Sequence, residues 1–240
     1  MGGEFHPADS RGFVDMGWLQ SHHTFSFGSY YNPARMGFGS LRVINDDVVH
    51  PGQGFGMHPH DNMEIITVPI SGALRHKDSM GNEDVIRPGE VQVMSAGTGL
   101  RHSEFNDSRS ESVSLLQIWV LPAKRGVKPV WRQKAFPVSG REGRCQLVVS
   151  PDGSEGSLSI HQQAWFSLCH LKTGEYVEYA LHGNGQGLYV FVIAGQVDAL
   201  DARLNERDGM GFVDLEALSL QAGVPSQILL MEIPMGESPK

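Results

Sequence analysis

The sequence is poor in cysteine, in positive charge and in long apolar runs, and each shortage removes a class of protein. Two cysteines, Cys145 and Cys169, stand in 240 residues. A chain of that length buries enough surface to need no disulfide staple, so both thiols are expected to be reduced, as in a cytoplasmic protein. Lys and Arg number 19 against 27 Asp and Glu, for a net charge of −8. With no basic surplus and no basic stripe, a nucleic-acid partner is not expected. The longest apolar stretch, around Leu115 to Leu121, falls far short of the roughly 20 residues that cross a bilayer, so no membrane partner is expected either. The opening residues Met1-Gly2-Gly3-Glu4-Phe5-His6-Pro7 lack the basic start and apolar run of a secretory signal.

Helical periodicity is scarce as well. Short apolar or alternating runs dominate: Leu41–Asn45, Met63–Ile70, Val91–Met94, Ser114–Leu121, Leu147–Ser150, Tyr189–Ile193 and Gln227–Ile233. Turn signals separate them, among them Pro51-Gly52, Ser71-Gly72, Pro88-Gly89, Pro151-Asp152-Gly153 and Asp208-Gly209. Twenty-nine Gly and 13 Pro suit such a turn-rich chain. The pattern predicts an all-β protein of the sandwich or barrel kind. A basic, turn-rich stretch from Pro122 reads as a connector, and Ile65–Gly72 is echoed by Leu188–Gly195. We therefore expect two antiparallel barrels in tandem, residues 1–125 and residues 126–240.

Two short segments carry the chemistry. In Gly52…His58-Pro59-His60…Glu64, the imidazoles of His58 and His60 are two apart and share one strand face; Glu64 keeps that parity if the strand runs on regularly. In Gly97-Thr98-Gly99-Leu100-Arg101-His102-Ser103-Glu104, His102 and Glu104 share a face in the same way. Taken singly, the first pair could be a surface His-x-His and the second a hydrogen-bonded pair. Together they aim three imidazoles and one or two carboxylates at one interior. A bound ion explains why such groups would be buried, and this N/O donor set suits Fe, Ni, Cu, Mn, Co or Zn. The expected ligands of one divalent metal ion are His58, His60, His102 and Glu104. The corresponding positions of the second half fall near Leu181, Gly183, Gly187 and Ala222, with His182 alone nearby, so that barrel is expected to hold no metal.

These segments resemble the two cupin motifs. The fuller run Met94-Ser95-Ala96-Gly97-Thr98-Gly99-Leu100-Arg101-His102-Ser103-Glu104, with His58-Pro59-His60 and Met63-Glu64, is more specific and resembles the pirin family. Gly17-Trp18-Leu19, His23-Thr24-Phe25-Ser26-Phe27 and Leu41–Asp47 are similar to its bacterial branch. The resemblance implies a bicupin fold, and a metal, Fe(II) first, held by three His and one Glu that map onto His58, His60, His102 and Glu104. It implies quercetin 2,3-dioxygenase activity, in which dioxygen opens the heterocycle of a flavonol with loss of carbon monoxide. Either Glu104 or Glu64 would accept the substrate's hydroxyl proton, with Glu104 ranked first as ligand and Glu64 kept as an alternative or outer contact. Some pirins act instead as redox-sensing or regulatory binding proteins without turnover, and both readings share every ligand.

Other residues have plainer readings. His76 could line the mouth of the site, but a surface strand position is expected, and Asp46-Asp47 is expected in a solvated turn. His22 and His23 with the aromatics Phe25 and Phe27, and Phe55 with Met57, could line the site or simply pack the core.

Overall fold

The apolar runs become strands, in most cases a few residues longer than the sequence suggests: Leu41–Val49, Glu64–Ser71, Glu90–Ser95, Val113–Val120, Cys145–Ser150, Gln186–Ala194 and Ser226–Pro234. Helical structure among the described residues is limited to single 3-10 turns such as Ala8–Ser10 and Val138–Gly140. The computed structural model describes residues 3–236, and in it the strands form two seven-stranded and two four-stranded sheets. No described helix is long and apolar enough to cross a membrane.

Each half pairs one sheet of each size. In the first half, the larger sheet runs Val130–Ala135, Glu90–Ser95, Glu64–Ser71, Val113–Val120, Leu41–Val49, Leu19–His23, Gly12–Asp15. Facing it is the smaller sheet Gly54–His60, Leu100–Asn106, Leu74–Asp78, Glu83–Ile86. In the second half the long central strands Gln186–Ala194 and Ser226–Pro234 lie side by side in the larger sheet. The two larger sheets meet back to back. Ile66, Val68, Leu116 and Ile118 from one and Phe166, Tyr189, Phe191 and Leu229 from the other share one apolar cluster. Because both faces of these sheets are buried, the strands read as continuous apolar runs rather than alternating ones.

The two barrel interiors differ. Val190, Val192, Leu220 and Leu230 belong to one apolar cluster that fills the second barrel. The first barrel has two small apolar patches, around Leu74 and Leu115 and around Ile65 and Met94. Between them lie buried polar side chains, among them His76, Gln92, His102, Glu104 and Asp47.

Chain crossings blur the expected division at residues 125 and 126. Strand Gly3–His6 pairs with Gly209–Phe212 in the second half's sheet, and Val130–Ala135 pairs with Glu90–Ser95 in the first half's sheet. Two expectations are corrected. Cys145 and Cys169 are joined by a disulfide rather than reduced: they face each other across adjacent antiparallel strands, with Cα atoms 4.3 Å apart. Asp46 and Asp47 lie within the strand Leu41–Val49 and are buried, not in a solvated turn. Asp46 is neutralised by Arg11, 3.2 Å away, and by Arg207, so an acidic pair can continue a central strand.

Candidate metal centre and ligand cavity

Strand pairing brings the histidines together. His58 is the direct cross-strand partner of His102, and His60 pairs with Leu100. The register then shifts, so that Glu104 stands opposite Phe55. This bulge puts Phe55 and His58, an odd number of residues apart, on the same inner face. The ring centroids of His58, His60 and His102 lie 4.4–4.9 Å apart, and one nitrogen from each falls within 4.8 Å of the others. The turn ahead of His102 is fixed by Gly97, whose φ of 49° and tight contact with the Val127 carbonyl leave no room for a Cβ.

The electrostatics leave these imidazoles ready to donate lone pairs. Burial, reinforced by the neighbouring imidazoles, pushes His60 and His102 down to about 3, so both are neutral at neutral pH. His58 Nδ1–H donates to the Gly56 carbonyl at 2.8 Å, which leaves its Nε2 lone pair free. His102 Nε2 and Glu104 Oε1 are buried without a partner among the described residues. Orphaned buried acceptors beside the neutral imidazoles of His60 and His102 are what a divalent cation would satisfy, so the residues present fit a metal ion.

Glu104 is 2% exposed, and burial raises its carboxyl above the ordinary range. Its Oε2 accepts from Gln117 Nε2 at 2.7 Å, and Gln117 Oε1 in turn accepts from Trp119 Nε1 at 3.3 Å. On its other side stands His76, its cross-strand partner. His76, His102 and Glu104 form a second set of donor atoms within 4.8 Å of one another. The expectation of a surface His76 is therefore wrong: it is fully buried, with Trp131 stacked beside it at 5.8 Å. The strand Leu74–Asp78 alternates buried and exposed residues, and that alternation was the available signal.

Glu64 is not brought to this cluster. The turn at Asp61-Asn62-Met63, with Asn62 at a φ of 45°, separates Gly54–His60 from Glu64–Ser71, and the two strands belong to different sheets. The parity argument from His58 fails there. Glu64 shares its strand face with Ile66 and Val68, the face packed between the barrels, and accepts from Ser95 Oγ at 2.5 Å.

A cavity of about 340 Å³ opens beside the imidazoles, near the small end of ligand pockets. The smaller sheet supplies one wall with Phe55, His58, His60 and Glu104. The larger sheet supplies the other with Ser21, His23, Asn45, Asp47, Gln117 and Trp119. Val14, Met16, Phe27 and Gly28 close the end. Of the aromatics left open between core and site, Phe25 is core, whereas Phe27 and Phe55 line the cavity; Met57 is exposed. Ser21 and Asn45 went unrecognised in the sequence, because a lone Ser or Asn in a strand carries no signature. In the second barrel, His182 Nδ1 pairs with the buried Glu232 at 2.7 Å and stacks on Trp165, so its role there is structural.

The family model "Pirin" matches residues 4–120, and the model "Quercetinase C-terminal cupin domain" matches residues 147–233. The chain is 43% identical to a quercetin 2,3-dioxygenase of Escherichia coli, over 95% of this chain and 96% of that protein. It is 40% identical to a pirin-like protein of Caulobacter vibrioides, over 94% of this chain and 97% of that one. A crystal structure of the bacterial pirin YhhW from Escherichia coli in complex with nickel(II) superposes with a TM-score of 0.92 at 41% identity, covering 97% of this chain and 99% of that one.

Proposed function

Because the chain belongs to the pirin family of the cupin superfamily, we propose that it is a metal-dependent oxidoreductase of the quercetin 2,3-dioxygenase kind. The observation that carries this reading is the convergence of His58, His60 and His102, with His58, His60 and Glu104 at the wall of a largely apolar, ligand-sized cavity. A redox sensor that only changes a surface has no need of a ligand-sized chamber beside its metal ligands. The cavity therefore favours turnover over the regulatory alternative.

In this reading His58, His60, His102 and Glu104 hold one divalent ion. Fe(II) is our choice, and the nickel(II) complex of the Escherichia coli relative makes nickel the first alternative. The ion would supply a Lewis acid for the hydroxyl and keto oxygens of a flavonol. Phe27, Phe55 and Trp119 sandwich and orient the flat ring system, and with Val14 and Met16 they keep bulk water from it. Glu104, its Oε2 anchored by Gln117, receives the hydroxyl proton. The net reaction takes up one dioxygen and yields a depside and carbon monoxide. Glu64 has no part in it.

The test is oxygen uptake and carbon monoxide release from quercetin by metal-loaded protein. His60→Ala should abolish both and lower the retained metal. A fully loaded wild-type protein that turns over no flavonol would refute the enzyme reading and leave the binding-protein account.

A further inference from the structure

The cavity wall opposite the imidazoles carries a group that metal binding leaves unused. Asp47 is a carboxylate at 3% exposure that lines the cavity. Among the described residues its hydrogen-bond partner is the Ser21 hydroxyl, which donates to Oδ1. Among the described residues no side-chain cation pairs with it: Arg11 and Arg207 both go to Asp46, which points to the other side of the strand. The neighbouring acceptor Asn45 Oδ1 is already filled by His23 Nδ1–H at 2.7 Å.

Asp47 Oδ2 has no hydrogen-bond partner among the described residues, and burial pushes the carboxyl up to about 7. The ligand that relieves this must bring a donor. The other walls narrow its nature. Val14, Leu19, Phe27, Phe55 and Trp119 are apolar or aromatic and call for a flat aromatic body. A hydroxyl on an aromatic ring meets both demands.

We propose that Asp47 and Ser21 form a second anchoring point, which binds a hydroxyl of the substrate other than the one held at the imidazole cluster. The site would thereby select polyhydroxylated aromatic substrates over singly hydroxylated ones. This inference rests on the proposed function and names the substrate feature that the facing wall reads.

Anaerobic equilibrium binding tests it without turnover. Quercetin and 3-hydroxyflavone share the metal-binding hydroxyl and keto pair, but 3-hydroxyflavone lacks every other hydroxyl. Their dissociation constants are measured by tryptophan quenching on metal-loaded wild-type, Asp47→Asn and Ser21→Ala proteins, each matched for metal content and melting temperature. Wild-type protein should bind quercetin at least about tenfold more tightly, the usual size of a hydrogen bond to a charged group. Asp47→Asn should cut that preference to within about threefold, by weakening quercetin while 3-hydroxyflavone stays within about twofold. Ser21→Ala should fall between, and it carries the test if Asp47→Asn does not fold. A preference unchanged in both variants, or equal weakening of both ligands, overturns the subsite and leaves the proposed function standing. Wild-type protein that binds neither flavonol overturns the proposed function, and the subsite with it.

Discussion

Replacing Gln117 with Leu tests how the site's carboxylate is held. Leu fills nearly the same volume as Gln, so the change removes polarity without opening a cavity. It deletes the 2.7 Å bond from Gln117 Nε2 to Glu104 Oε2 and the acceptor of Trp119 Nε1. A hydrogen bond to a charged acceptor contributes roughly 1.5–3 kcal/mol, and a buried Glu104 finds no water to replace it. That bond also lowers the Glu104 carboxyl, so its loss moves the group further up and lets protons compete better with a metal ion. The free energy corresponds to roughly a 10- to 100-fold weaker metal affinity, the usual cost of losing an outer partner of a ligand. Competition titration against a chromophoric chelator at fixed pH reads this directly. An affinity within twofold of wild type, in a variant that melts normally, would refute the idea that Gln117 organises Glu104.

Three further outcomes are expected. Burial holds Glu64 near 7 against an ordinary 4.5, so the folded state binds its proton more tightly than the unfolded state. The stability this confers is full below pH 4.5 and disappears as pH rises through 7. Chemical denaturation of metal-free Glu64→Gln should therefore lose about 2 kcal/mol less than wild type between pH 5 and 8. Chelating the metal should lower the melting temperature, since an ion present at about 100 times its Kd adds roughly 2.7 kcal/mol to the folded state. Leu230→Ala, in the second barrel's core, should cost about 2–5 kcal/mol in urea unfolding while leaving metal affinity unchanged.

The all-β architecture was legible because the sheets that meet between the barrels are apolar on both faces and stand out as runs. The convergence of His58, His60 and His102, and the placement of Glu104 beside His102, were legible because a spacing of two fixes a common face within a strand. What was hidden depended on pairing between distant segments. Glu64 was misplaced because nothing in Asp61-Asn62-Met63 announces a change of sheet. Asp46-Asp47 looked like a turn because its counter-charges, Arg11 and Arg207, lie far away in sequence. The bond between Cys145 and Cys169 needed the strand register to be seen.

The exchange of strand Gly3–His6 into the second half's sheet has a consequence for biosynthesis. Ala8 N–H, just beyond that strand, is bonded to Asp208, 200 residues downstream. Strand Gly3–His6 therefore leaves the ribosome about 200 residues ahead of its partner Gly209–Phe212 and waits for it. Closing so long a loop is entropically slow to nucleate, and until it closes the second half's larger sheet has an open edge that invites a neighbouring chain. A late, long-range closure of this kind ties both barrels into one folding unit. Cutting the chain at the connector would leave each piece missing a strand that the other supplies.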